Sequence, residues 1–220
     1  MKIVAFSDTH FRPAPYITDE DIDILIFAGD WSGMSHELET ITFANWFNEQ
    51  PGNHKILVPG NHDYFVNSIE GAWVNEYKEI NGFNILASPY TPEFCNWNYM
   101  KSEAALDRMY DCFPVAVDIL ITHGPCYGIG DLCDNQHIGS KALLKYVEKV
   151  KPLIHIFGHI HGAFGQYAKY WKKDCLYTQE NPNFIIDKGT KGSCTYFYNV
   201  SMCNEKYELV NPYTNIQIGD

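Results

Sequence analysis

The chain has no Cys-x-x-Cys pair, no long apolar run, no flexible linker and few cations, and each absence closes off a class of function. Its seven cysteines, at 95, 112, 126, 133, 175, 194 and 203, form an odd set without paired spacing. That speaks against a disulfide framework and a zinc knuckle and leaves reduced, mostly buried thiols as the expectation. No stretch approaches the length of a membrane span. The apolar opening Lys2 to Phe6 stops at Ser7-Asp8, too short for a signal-peptide core, so no membrane partner and a cytoplasmic location are expected. With 16 Lys+Arg against 27 Asp+Glu, the formal charge of -11 repels phosphate backbones and argues against polymeric nucleic acid as a partner. There is no Gly/Ser- or Pro-rich linker, internal repeat or low-complexity tract. The 220 residues, 45% of them hydrophobic, therefore read as one domain with one substantial core.

What the chain does have is a set of short apolar runs that stop abruptly at polar clusters. Lys2 to Phe6 ends in Ser7-Asp8-Thr9-His10, and Ile24 to Ala28 ends in Gly29-Asp30. Lys55 to Val58 leads through Pro59 to Gly60-Asn61-His62-Asp63, Val117 to Ile121 ends in Thr122-His123, and Leu153 to Phe157 ends in Gly158-His159-Ile160-His161. Such continuous runs are the pattern of strands buried on both faces. Helices are expected between them: one capped by Ser35 and running to about Asn48 with Leu38, Ile41, Asn45 and Trp46 near one face, one over about 68 to 80, one from about Ser102 to Cys112, and one starting at Ser140. Strands alternating with helices predict an α/β fold with parallel pairing.

Three segments carry less pattern. The aromatic, proline-broken stretch Pro89 to Tyr99 reads as a hydrophobic plug over the core in preference to a base-stacking platform. Residues 165 to 192 hold the densest lysines of the chain, Lys172 and Lys173 among them. The segment 163–195 reads as an insertion, either a solvated surface or a lid that grips a phosphate. Thr195 to Val200 and Lys206 to Val210 read as closing strands of a hairpin. His155 lies inside a buried-looking strand and reads as structural, and no role is evident for His36, His54 or His137.

The strand ends bring the chemistry. Asp8, His10, Asp30, Asn61, His62, His123, His159 and His161 all follow apolar runs, and in α/β sheets ligands collect beyond the carboxyl ends of strands. Carboxylate, amide and imidazole donors without thiolate suit two divalent ions of intermediate softness. Mn²⁺ is the expected ion, with Fe, Zn²⁺ and Ni²⁺ as alternatives.

In order and approximate spacing, Asp8-x-His10, Gly29-Asp30, Gly60-Asn61-His62-Asp63, His123 and Gly158-His159-x-His161 resemble the signature of the calcineurin-like metallophosphoesterases, over roughly residues 1 to 162. Finer features, Pro89-Tyr90-Thr91-Pro92, Thr122-His123-Gly124-Pro125 and Asn199-Val200-Ser201-Met202-Cys203, are similar to the small metallophosphoesterase-domain proteins allied to class III cyclic nucleotide phosphodiesterases. The resemblance implies a four-layer α/β/β/α sandwich with two mixed sheets. It implies Asp8, His10 and His161 on a first metal, Asn61, His123 and His159 on a second, and Asp30 bridging both. His62 would then be the acid or transition-state stabiliser, with Asp63 fixing its ring. The expected activity is hydrolysis of small phosphate esters, cyclic nucleotides first. A nucleoside 5′-monophosphatase and a non-catalytic metal-dependent binding protein stand as the alternatives.

Overall fold

The computed structural model describes residues 1–178 and 184–219. In chain order the strands are β1 (Lys2–Phe6), β2 (Ile24–Ala28), β3 (His54–Val58), β4 (Glu76–Ile80), β5 (Phe83–Ser88), β6 (Thr91–Pro92), β7 (Met100–Lys101) and β8 (Ile119–Thr122). They continue with β9 (Leu132–Cys133), β10 (Gln136–His137), β11 (Ile154–Phe157), β12 (Gly165–Tyr170), β13 (Cys175–Thr178), β14 (Ile185–Asp187), β15 (Cys194–Asn199) and β16 (Thr214–Gly219). The helices are α1 (Glu37–Glu49), α2 (Glu103–Asp111) and α3 (Lys141–Val150).

Two mixed sheets form, one in the order β14-β16-β1-β2-β3 and one in the order β13-β12-β15-β11-β8-β5-β4. Ile3, Ile24, Ile26 and Ile56 of the first sheet pack against Ile85, Ile119, Ile154 and Ile156 of the second, making the central core. On the outer face of the first sheet, Phe6 and Phe27 meet Phe43 and Phe47 of α1. On the outer face of the second, Leu120 and Phe197 meet Leu106, Leu143 and Val147 of α2 and α3. The result is the expected α/β/β/α sandwich, and strands covered on both faces explain why their sequences are apolar without alternation.

The parallel runs β1-β2-β3 and β5-β8-β11-β15 share a direction within each sheet. The two sheets are stitched at one end, where Ser7 N–H donates to the Val200 carbonyl at 3.1 Å and Met202 N–H to the Ser7 carbonyl at 3.0 Å. The carboxyl ends of β1, β2, β3, β8 and β11 therefore open on one edge.

Several local expectations are corrected. Residues 68 to 80 are not helical: Glu76–Ile80 is a strand, because Asn81 (φ 52°) and Gly82 (φ 79°) form the left-handed two-residue turn that closes a β-hairpin with β5. Helix α1 starts after His36 and buries Thr40, Phe43, Ala44 and Phe47, leaving Leu38 71% exposed. The tilted aromatic contact of Phe43 with Phe27, with centroids 4.5 Å apart, outweighs the face expected from Leu38 and Ile41. Ser35 does not cap it; at φ 59° its hydroxyl donates to the His62 carbonyl. Lys206 to Val210 is no strand. Asn204 Oδ1 accepts from Lys206 N and Glu208 N, which folds the segment into a tight loop, and the closing strand is instead β16, antiparallel to β1. Of the seven thiols only Cys126, Cys194 and Cys203 are buried.

Residues 165–178 form β12 and β13, with β12 paired to β15 along its whole length from Gly165–Asn199 to Tyr170–Cys194. Lys172 and Lys173 sit on the turn after Tyr170, at the end of the sheet away from Asn199. Residues 179–183 lie outside the described residues.

Candidate metal centre

The strand ends converge. Asp8, His10 and His161 offer ligand atoms within 4.8 Å of one another, and so do Asp30, His123 and His159. Asp30 lies between the groups: its Oδ2 is 3.3 Å from His123 Nε2 and 4.0 Å from His10 Nε2. Asn61 Oδ1 is 3.0 Å from His123 Nε2. All seven residues that the resemblance assigns to metals thus lie within one cluster, and His62 joins it, its ligand atom grouped in the same way with those of His10 and Asp30. His62 Nε2 stands at the margin, 3.9 Å from Asp30 Oδ2.

The backbone is bent to present these groups. Asp8, His10, Asp30 and His159 all have positive φ, between 45° and 70°, a conformation that side-chain-bearing residues rarely adopt and that concentrates at functional sites. Glycines make the room. A methyl at Gly60 would overlap Asp30 Oδ1 and His123, and one at Gly158 would overlap Ser7 Oγ and Asp8 Oδ2. These two motif glycines are therefore required by the side chains packed over them.

Hydrogen bonds outside the cluster orient the imidazoles. His123 Nδ1–H donates to the Ala28 carbonyl at 2.9 Å, His161 Nδ1–H to the Asn204 carbonyl at 3.0 Å and His62 Nδ1–H to the Gly33 carbonyl at 3.3 Å. Each bond leaves Nε2 turned towards the cluster, and fixes which ring nitrogen faces it.

The Asp63 carboxylate, expected to hold the His62 ring, does something else. Its Oδ2 accepts from Gly60 N (2.7 Å) and Asp30 N (2.9 Å), and its Oδ1 from Ser32 N (2.9 Å). It joins the loops after β2 and β3, while His62 is fixed by Gly33. The sequence neighbours diverge because the His62 backbone N–H is taken by Asp30 Oδ1 at 2.8 Å.

Electrostatics identify a place for cations. Asp8 and Asp30 are almost completely buried, and among the described residues their ion pairs are only to histidines. Burial raises the Asp8 carboxyl, but the His161 hydrogen bond and the His161 and His123 charges bring it down to about 2. Asp30 is likewise driven far below the carboxylate range, its burial outweighed by His123. His123 is pushed up to about 9, burial being overcome by Asp30, whereas burial holds His159 down to about 3 and also lowers His10. Burial and the Asp30 charge raise Asp63. Buried carboxylates that face only imidazoles, with no Lys or Arg partner among the described residues, are costly alone, and Asp8, His10, His161, Asn61, His123 and His159 around Asp30 are donors that could hold divalent cations there.

A cavity of about 630 Å³ opens over the cluster. Phe94, Trp97 and Tyr207 line it together with Glu93 and Glu205. The Trp97 ring is 4.0 Å from that of His62 and the Phe94 ring 5.6 Å from that of His159. The aromatic stretch therefore does both: Tyr90 and Tyr99 pack against the core as expected, while Phe94 and Trp97 line the site, for which the density of rings between prolines was the available signal. Tyr207 and Glu205, in the loop read as a hairpin, left no such signal. His155 is buried in β11, as expected, with Nε2 2.8 Å from Thr122 Oγ1. His137 pairs with Asp131 at 2.6 Å.

A two-sheet α/β sandwich with a carboxylate–imidazole cluster shared by Asp30 at its carboxyl edge defines a class of metallohydrolase scaffold. The chain belongs to the calcineurin-like phosphoesterase family, whose profile matches residues 1–163 and whose members act on phosphate esters with a dinuclear divalent metal site. It is 30% identical to metallophosphoesterase domain-containing protein 1 of Homo sapiens and of Mus musculus, over 96% of this chain and 69% of each relative. A UPF0046 protein of Caenorhabditis elegans is 29% identical over 75% of this chain and 65% of its own. A solved crystal structure, 14% identical over 81% of this chain and 98% of that one, shares the fold at a TM-score of 0.50. No helix among the described residues is long and apolar enough to cross a membrane.

Proposed function

We propose that the protein is a metal-dependent phosphodiesterase of small esters, with cyclic nucleotides as the substrate class. The lining of the cavity carries this reading. Among the described residues it contains the exposed rings of Phe94, Trp97 and Tyr207 and the carboxylates Glu93 and Glu205, but no Lys or Arg. A phosphodiester brings one negative charge and a monoester close to two, so an acidic rim without cations favours the diester. Flat apolar rings beside the phosphoryl position suit a base, where each stacking contact is worth about 1–3 kcal/mol.

Asp8, His10 and His161 would hold one divalent ion and Asn61, His123 and His159 the other, with Asp30 between them. When bound, such a pair lowers the pKa of a water and neutralises phosphoryl oxygens. His62, with Nδ1–H held by the Gly33 carbonyl, presents Nε2 to the cavity; with both ring nitrogens protonated, it gives the Nε2 proton to the departing ester oxygen and keeps the Nδ1 proton on Gly33. Trp97 packs edge-on against the His62 ring and keeps bulk water from that flank. Asp63 positions the Asp30 backbone and the Gly60 turn.

The test is hydrolysis, with added Mn²⁺, of a panel of 2′,3′-cyclic, 3′,5′-cyclic and 5′-monophosphate nucleotides. Cyclic compounds are expected to be turned over with the higher kcat/KM. Faster hydrolysis of the monophosphates would overturn the diester reading, and no turnover despite bound metal would leave a binding protein.

A further inference from the structure

The loop Asn204 to Glu208 is built with more constraint than a surface connection requires. Asn204 N–H donates to the Glu208 carbonyl at 2.9 Å and Tyr207 N–H to the Asn204 carbonyl at 2.9 Å. The Asn204 side chain accepts from Lys206 N and Glu208 N and donates to the Glu208 carboxylate at 2.8 Å. The same Asn204 carbonyl receives His161 Nδ1–H, so the loop is tied directly to an expected metal ligand.

At its tip Tyr207 sits at φ 59°. For a bulky aromatic this is an outlier that persists only where its surroundings impose it, and such outliers gather at functional sites. The strain does not serve the core, since Tyr207 is 43% exposed. It holds the ring against His10, with centroids 4.7 Å apart, and against His161, 5.2 Å apart. Tyr207 borders the cavity, and its phenolic hydroxyl has no hydrogen-bond partner among the described residues.

The ring of His10 also contacts His62, at 4.6 Å. His62 belongs to the Asp30 flank, where Trp97 covers it, and Tyr207 belongs to the His161 flank. A diester has two arms, and if one departs beside His62 the other must lie elsewhere over the cluster. We propose that Tyr207 is a specificity-determining residue that receives the retained arm of a phosphodiester, its ring packing on that arm and its hydroxyl donating to the ester or sugar oxygen. A monoester has no second arm and cannot use this contact. The inference rests on the phosphodiesterase reading and adds to it the residue that separates diesters from monoesters.

The test compares wild type, Tyr207→Phe and Tyr207→Ala, each loaded with Mn²⁺, on bis(p-nitrophenyl) phosphate and p-nitrophenyl phosphate. Metal content is measured on every sample, and binding of a non-hydrolysable phosphonate diester is measured by calorimetry. In Tyr207→Ala the diester-to-monoester ratio of kcat/KM is expected to fall about tenfold, the size of one aromatic contact plus a neutral hydrogen bond. Phosphonate affinity falls in parallel and the metal content stays unchanged, while Tyr207→Phe shows the hydroxyl's share of the loss. A ratio that does not move, or a loss matched by loss of metal, would make Tyr207 a structural support and overturn the proposal. If the wild type hydrolyses neither ester, the phosphodiesterase reading itself falls and takes the proposal with it; if it hydrolyses the diester and the ratio is unmoved, only the role of Tyr207 falls.

Discussion

Asp63→Asn separates two roles for that carboxylate. The side chain is completely buried and accepts three backbone N–H groups, two on Oδ2 and one on Oδ1. Asparagine fills the same volume but has one oxygen. If that oxygen keeps the Gly60 and Asp30 bonds, the new amide faces the Ser32 N–H, donor against donor. One hydrogen bond is lost, about 1 kcal/mol, and a buried donor is left unsatisfied, about 1–3 kcal/mol. The expected destabilisation is thus about 2–4 kcal/mol. For a domain of this size about 2–4 °C of Tm follows from each kcal/mol, so Tm should fall by about 5–15 °C. The loss appears in the metal-free protein, because the broken contacts are to backbone. It also weakens metal binding, because the Asp30 N–H is one of the groups held. Scanning calorimetry with and without Mn²⁺ and a metal titration measure both effects. A Tm within about 2 °C of wild type, with only the pH–rate profile altered, would refute the backbone role and return Asp63 to orienting His62.

The other predictions use different parts of the site. His62→Ala should retain both metals by elemental analysis and lose about 10²–10⁴-fold in kcat, the usual range for a general acid; loss of metal with the rate would make it a ligand. Gly158→Ala puts a methyl into Asp8 and Ser7 and should reduce metal stoichiometry while the far-ultraviolet dichroism stays native; full occupancy would contradict the crowding argument. Burial holds His155 down to about 3 in the folded protein, whereas the unfolded chain takes up that proton near pH 6.5. Stability is therefore present above pH 6.5 and is lost as pH falls through the window between those values, by up to about 1.4 kcal/mol per pH unit. In His155→Gln the denaturation free energy should show a flatter slope over that window, and an unchanged slope would exclude this group as the source.

The parts of this protein that local chemistry determines were legible in its sequence. The five apolar runs are strands because both faces are covered, so burial shows as an unbroken run. Gly60 and Gly158 stand beside Asp30 and Asp8 because a Cβ has no room there, and the meeting of Asp8, His10, Asp30, His123, His159 and His161 in one cluster follows from which strand ends carry them. Tertiary structure decided what depends on long-range competition. Aliphatic periodicity suggested one face of α1, and the aromatic fit of Phe43 on Phe27 chose another. Trp73 and Tyr77 have helical spacing, yet the Asn81-Gly82 turn and pairing with β5 made a strand. Lys172 and Lys173 went to a turn at the far end of a sheet because β12 runs antiparallel to β15. The partners of Asp63, and the placement of Trp97 and Tyr207 around the cluster, come from loops whose ends are fixed on different strands. Their side chains meet only after the two sheets have closed, so no spacing along the chain encodes the contact.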